Sequence, residues 1–364
     1  MILILAIAAL FIAGLFIADQ LLAAPKYIED DSDHFDGKKF VNPDGAGTHH
    51  YGEVLKWWLG GNDKGVWDIY RESDLPDHPA PKASVEGSEH RIIFINHATF
   101  LIQVNGQNIL TDPVWSFRAS PYQWIGPQRK RPAGIDFDSL PHIDTVLLSH
   151  NHYDHLDIDT VKHLQNEFDP QFIVPLGVER YLKGQGVYKT IRMDWWDKYG
   201  LGNDITLTAV PARHFSGRGL FDRNKTLWCG YVLENPSGNI YFAGDTGYGD
   251  FLKEIKQQVG PIDTSILPIG AYKPRWFMEA IHMSPEEAVM AHKELQSQKS
   301  IGMHFGTFPM ADDGMYEPLE DLGKARRKHK VSERDFMSLQ HGEAFQAQGR
   351  QTVRKTAVGS DISK

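Results

Sequence analysis

The chain has 364 residues, a formal net charge of −9 and one cysteine, Cys229. The charge argues against a nucleic-acid partner, since proteins that bind nucleic acid present a basic face, and a lone cysteine excludes an internal disulfide. With 41% hydrophobic and 23% charged residues, the composition suits a globular fold with a sizeable core, held by packing or by metal.

The first element is "MILILAIAALFIAGLFIA", an uncharged apolar run. As a helix it would be about 27 Å long, close to the hydrocarbon thickness of a bilayer. It lacks the polar stripe of a core helix. No Lys or Arg precedes it, and "QLLAAP" is a poor cleavage site. Residues 1–25 therefore read as a hydrophobic anchor in preference to a signal peptide.

Residues 26–90 are polar and bear Gly and Pro. They hold one helix candidate, "GEVLKWWLGG", and read as an N-terminal extension packed on the main domain. From Arg91, "RIIFI", "TFLIQV" and "QNILTD" read as strands, with "NGQ" turning the last pair. "TVLLS" is a buried strand, and "DTVKHLQNEF" the helix after it, with Asp157 as its cap. "FIVP" is a strand and "VERYLKGQG" a helix. "DITLTAVPARH", "LWCGYVLEN" and "NIYFAGDT" are strands. "FLKEIKQQVG" is helical and "TSILPIG" a strand. "SPEEAVMAHKEL" opens with a capping box of Ser284 and Glu287, with Pro285 at the first helical position. "IGMHFG" is the last strong strand. Two strand sets, each followed by helices, predict two sheets covered by helices. The main domain is placed at 91–345 and a polar, frayed tail at 346–364.

"SHNHYDHLD" follows the buried strand. His150, His152, Asp154 and His155 form H-x-H-x-D-H. In extended backbone, residues i and i+2 face the same side, and a tight turn can swing the next pair across one pocket. Imidazole and carboxylate suit zinc, and tolerate iron or manganese. Four such groups in six residues exceed the protein ligands of one catalytic zinc, which suggests two metals. His214, Asp245 and His304 supply further candidates, each at or near the C-terminal end of an apolar strand, where open α/β sites gather.

This series is similar to that of the metallo-β-lactamase superfamily. "NHATFLIQ", "LTDPVWS", "SHNHYDHLD", "FAGDTGY", "IGAYKPRWFM", "SPEEAV" and "HFGTF" together resemble the N-acyl-phosphatidylethanolamine-hydrolysing phospholipase D family and its bacterial relatives, over about residues 33–345. The resemblance implies an α/β fold, the αββα metallo-β-lactamase sandwich, with a dinuclear zinc site (two Zn2+, with Fe or Mn as alternatives). His150, His152 and His214 would hold one ion, Asp154, His155 and His304 the other, and Asp245 would bridge. Asp112 would orient a ligand imidazole, and His282 would contact the phosphate or the leaving group. The implied reaction is in-line attack on phosphorus by a hydroxide shared between the ions, giving phosphatidic acid and an N-acylethanolamine, with Asp154 essential. A phospholipid or other phosphodiester is the expected partner.

Trp57, Trp58, Trp195, Trp196, Trp276 and Phe277 are candidates for an acyl path or a membrane face, although for most of them a place in the core is the better reading. With the anchor, the expected location is a bacterial inner membrane, the catalytic domain leaning to the periplasmic side. A lactonase or another phosphodiesterase of the superfamily is the alternative. A β-lactamase is disfavoured because that class usually has a cysteine at the second metal, and a tRNA-processing nuclease by the net charge. A membrane-anchored regulatory module with a retained metal site is disfavoured by the complete set of seven ligands.

Overall fold

The computed structural model describes residues 13–14, 16, 19–29, 31–47, 51–60, 63–87 and 89–348. Most of the anchor segment, including residues 1–12, lies outside these. Among the described residues no helix is long and apolar enough to cross a membrane, so the expected anchor, and the location built on it, have no support there. The end of that segment is packed on the domain instead. The Asp19 carboxylate accepts from the backbone N–H of Leu220 and Phe221, and the Ala24 N–H donates to Asp222 Oδ2. The helix expected in the extension is present as α1, Tyr51–Leu59.

The first sheet begins with a meander. β1 (Glu89–Asn96), β2 (Thr99–Val104) and β3 (Gln107–Thr111) pair antiparallel. Asn105 and Gly106 turn β2 into β3 at φ 46° and 78°, the positive pair that a two-residue hairpin needs. β4 (Thr145–Leu147), β5 (Gln171–Pro175) and β6 (Thr190–Met193) then add in parallel, with α2 (Ile158–Phe168) and α3 (Val178–Gly184) in the connections.

The second sheet repeats the plan. β7 (Lys198–Gly202), β8 (Ile205–Val210), β9 (Gly230–Glu234) and β10 (Ile240–Phe242) are antiparallel. β11 (Thr264–Pro268), β12 (Lys299–Met303) and β13 (Phe336–Met337) follow in parallel. The helices α4 (Phe251–Val259), α5 (Arg275–Met278), α6 (Pro285–Glu294) and α7 (Glu317–His329) accompany it. β14 (Ala344–Gln348) returns to pair with β1, so the first residues of the expected tail are strand.

The spatial orders are β14-β1-β2-β3-β4-β5-β6 and β13-β12-β11-β10-β9-β8-β7. Ile92, Phe94, Phe100 and Ile102 share one buried cluster with Leu207, Tyr231, Leu233 and Phe242, so the sheets pack face to face. Their alternates Ile93, Ile95 and Leu101 pack with Val161, Leu164 and Leu182 of α2 and α3. Both faces of β1 and β2 are thus buried, which is why these strands read as nearly continuous apolar runs. The expected two-sheet metallo-β-lactamase architecture is present.

Candidate metal centre

β3, β4, β8, β10 and β12 deliver their next residues to one edge of the sandwich. There the chain places Asp112, the 149–157 loop, His214, Asp245 and His304. The loop after β4 tightens at once, with the N–H groups of His155 and Leu156 both donating to His152 O, at 3.1 and 2.8 Å. Past that turn Asp154 faces His304 and His155 faces Asp245, with the His155 ring still 4.2 Å from that of His150. Small residues permit the close approach of neighbouring loops. A Cβ at Gly244, φ 59°, would lie 2.6 Å from Ser149 Cβ, and one at Gly270 would lie 1.9 Å from His304 O.

Two groups of donor atoms result. His150 Nε2 lies 2.8 Å from His152 Nδ1, which lies 3.3 Å from His214 Nε2. Asp154 Oδ2 lies 3.5 Å from His155 Nε2 and 3.3 Å from His304 Nε2. Asp245 Oδ2 sits between the groups, 3.1 Å from both His155 and His304, 3.7 Å from His214 and 3.9 Å from His150. Either group could hold a metal ion.

The tautomers fit that use. His155 Nδ1–H donates to Asp112 Oδ2 at 2.7 Å, and His214 Nδ1–H to Ile281 O at 2.9 Å. His150 Nδ1–H meets Ser149 Oγ at 2.9 Å, and that hydroxyl donates on to Asp112 Oδ2 at 2.6 Å. Each ring's Nε2 lone pair is left facing the other donor atoms. Lone pairs crowded at this spacing repel unless a cation lies among them, and buried donors without partners are costly. Here His155 Nε2, His304 Nε2 and Asp245 Oδ1 have no hydrogen-bond partner. The residues present fit a pair of divalent ions.

A sequence profile described as "Beta-lactamase superfamily domain" matches residues 107–305. An N-acyl-phosphatidylethanolamine-hydrolyzing phospholipase D of Caenorhabditis elegans is 39% identical, covering 71% of this chain and 76% of that protein. The chain belongs to the beta-lactamase superfamily, in the family of these phospholipases. A metal-dependent hydrolase of Solibacter usitatus is 33% identical over 60% of this chain and 86% of its own length. Among solved structures, Igni18, a metallo hydrolase from the archaeon Ignicoccus hospitalis, shares the fold, with a TM-score of 0.55 and 20% identity, covering 72% of this chain and all of that one.

The electrostatics of this superfamily site divide along the same line as its geometry. Burial, reinforced by neighbouring imidazoles, keeps His150 neutral and holds His152 and His214 down at about 3. Neutral imidazole is the ligating form. Burial also disfavours ionised Asp154 and Asp245, yet His155 beside them outweighs it and holds both carboxyls well below the usual range. In return these carboxylates overcome the burial of His304 and carry it up to about 9.

A cavity of ≈ 390 Å³ opens over the site. His152, Asp154, His214, Asp245, His282 and His304 form its polar floor, and Trp57, Phe215, Phe277, Ile281 and Met310 are among its apolar walls. Trp57 and Phe277 stack at 5.1 Å. Of the other aromatics considered for an acyl path, Trp195 lies in the core and donates to Trp228 O, Trp196 packs against the core, and Trp58 and Trp276 are exposed. On the cavity floor, His282 Nδ1 has no protein partner.

Asp112 accepts from His155 Nδ1–H and from the hydroxyl and N–H of Ser149. Asp157 occupies the N-cap position of α2, but its side chain caps nothing there. Its carboxylate instead accepts from the N–H groups of Trp115 and Ser116 and from Thr160 Oγ1, fixing the loop after β3.

Two contributors were not singled out from sequence. Arg218 is buried, its guanidinium between the rings of Tyr153 and Tyr181 at 4.0 and 4.6 Å. Its Nη1 donates to Asn151 O and Leu156 O, at 2.8 and 2.9 Å, clamping the metal loop from outside. His97 donates from Nε2 to Asp154 Oδ2 at 3.0 Å. The available signal was another lone histidine at the end of an apolar strand, in "INHATF".

Proposed function

We propose that this chain is a metal-dependent phospholipase D that hydrolyses N-acyl-phosphatidylethanolamine to phosphatidic acid and an N-acylethanolamine. The observation that carries the reading is Asp245 Oδ2 set between two donor groups at the floor of a cavity with apolar walls. The chemistry of the family relative supports the same substrate. In this reading His150, His152 and His214 hold one zinc ion, Asp154, His155 and His304 the second, and Asp245 both. The nitrogen-rich donor set favours zinc, with iron or manganese as substitutes. Such a pair, when bound, supplies a water of lowered pKa and a Lewis acid for phosphoryl oxygen.

The chain's own residues do the rest. Asp112 and Ser149 fix the tautomers of His155 and His150. Trp57, Phe277 and Met310 take up acyl chain and keep bulk water from the floor. Hydrolysis adds water across the phosphorus–oxygen bond to the N-acylethanolamine, and in this reading His282, which lines the cavity with Nδ1 free of a protein partner, contacts that leaving oxygen and returns a proton to it. Exposed Trp58, Trp124 and Trp276 lie on α1, on the 115–127 loop and on α5, each of which also reaches the cavity or its rim. Aromatic rings there suit contact with a lipid surface.

The test is mass spectrometry of membrane lipids before and after incubation with the full chain. Matched release of phosphatidic acid and N-acylethanolamine, abolished by chelation, is the expected result. Turnover of a lactone with no change in the lipids would sink the reading.

A further inference from the structure

The two-ion reading uses His150, His152, His155, His214 and His304 but leaves one fully buried histidine of the same cluster without a task. His97 is 1% exposed. Its ring lies 4.0 Å from that of His304 and is closed off on another side by Phe308 at 5.4 Å. Its Nε2–H donates to Asp154 Oδ2 at 3.0 Å. Its backbone is held as firmly as its ring. The His97 N–H donates to Thr307 Oγ1 at 2.9 Å, and the His97 carbonyl accepts from the His304 N–H at 2.8 Å. Both residues have left-handed backbones, φ 45° and 62°, which side chains other than glycine seldom adopt.

We infer that His97 is a positioning residue for the second ion: its imidazole aims the Asp154 carboxylate and its carbonyl fixes His304. The inference rests on the two-ion reading above. Asp154 contributes the carboxylate that is not shared between the two groups, and a carboxylate rotates freely unless a donor pins it. His97 pins the oxygen that lies between His155 and His304. Among the described residues no hydrogen bond or ring contact joins it to His150, His152 or His214, so the first group stands without it. Loss of the His97 donor therefore weakens one ion selectively. Removing a group that orients a metal ligand costs about ten- to a hundred-fold in affinity.

The experiment titrates the metal-free full chain with Zn2+ against a competing chromophoric chelator, for wild type, His97→Asn and His97→Gln. The Asn amide tolerates the left-handed backbone but is too short to reach Asp154. The Gln amide has the reach of Nε2 and can donate. Absorption of Co2+-loaded samples reports the geometry of each ion, and metal-free melting curves report the fold. Expected are two ions in wild type and a second ion bound about ten- to a hundred-fold more weakly in the Asn variant, with the first constant unchanged. The Gln variant should recover within a few-fold of wild type. Wild-type constants in the Asn variant, or a Gln variant as weak as the Asn one, would overturn the role of His97 alone. A wild-type chain that takes up no second ion overturns the two-ion reading itself, and this inference with it.

Discussion

Asp112 accepts three hydrogen bonds, from the Ser149 N–H, the Ser149 hydroxyl and His155 Nδ1–H, all at 2.6 to 2.7 Å. An amide cannot accept at every one of those places. Asp112→Asn should therefore cost about ten- to a hundred-fold in metal affinity, read by the same chelator competition, while the chain stays folded. His282→Ala should behave differently. If this residue returns the proton to the leaving oxygen, kcat falls about a hundred- to ten-thousand-fold with metal content unchanged. A drop in bound zinc that accounts for the lost rate would exclude that role. At this scale the seven residues were legible as candidates because H-x-H-x-D-H demands partners and His214, Asp245 and His304 each stand at or near the end of an apolar strand. His97 was not, because it stands in a turn between strands of one hairpin and nothing in its spacing ties it to Asp154. Asp157 misled because a helix-opening aspartate usually caps, whereas here Thr160 and the 115–116 backbone claim its carboxylate.

α6 illustrates what an element does for the site. Ser284 Oγ accepts from the Glu287 N–H, and Glu287 Oε2 accepts from the Ser284 N–H. Arg275 donates to both Glu287 oxygens and to His282 O. The cap thus fixes the segment that carries His282. Ser284→Ala should lower stability by about 1 kcal/mol, measured by denaturant titration. α1 works at the cavity wall. Trp57 stacks on Phe277 and donates from Nε1 to Asp312 Oδ2. Trp57→Ala should raise KM for long-chain substrates and leave short-chain ones nearly unaffected; equal effects on both would place Trp57 outside the acyl path. The strands nearest the site and the helix with the capping box were readable from their periodicity. β7 was not, since "KYGLG" is a glycine-bearing edge strand with every residue partly or fully exposed. α7 was hidden by its charge, although Pro318, Leu322 and Ala325 make a buried stripe at helical spacing.

For the whole molecule, two levers follow. A ligand bound only to the native state raises its stability, by about 4 kcal/mol when present at a thousand times its Kd. Chelation should lower the melting temperature accordingly, and Zn2+ should restore it. The second lever is pH. His341 is buried, donates from Nδ1 to Pro132 O and is held down at about 3, chiefly by burial; burial also lowers His90 and His292. An unfolded histidine takes up its proton near pH 6.5. Between that pH and about 3 the unfolded chain binds more protons, so stability falls as pH falls through this window. Melting curves from pH 7.5 to 4 should show this, with a shallower decline for His341→Asn. The two-sheet plan was legible from strand sets followed by helices. Hairpin neighbours such as β2 and β3 were legible from their turn; pairings between strands distant in the chain were not, because they leave no local pattern.

That pairing has a consequence for how the molecule is made. One side of β1 is completed by β14, Glu89 opposite Gln348 and Ile93 opposite Ala344, and every other strand among the described residues lies between them in the chain. While a ribosome is still delivering the second sheet, β1 must wait with a row of unpaired N–H and C=O groups in a nearly continuous apolar strand, the arrangement most prone to pair with another chain. Closure is late, long-range and therefore slow. A chain stopped at residue 343 would retain every candidate metal ligand, yet it should scatter light on refolding at concentrations where the full chain stays clear. Adding a peptide spanning residues 344–348 should slow that aggregation. The candidate metal ligands can all be in place while the first sheet still lacks an edge.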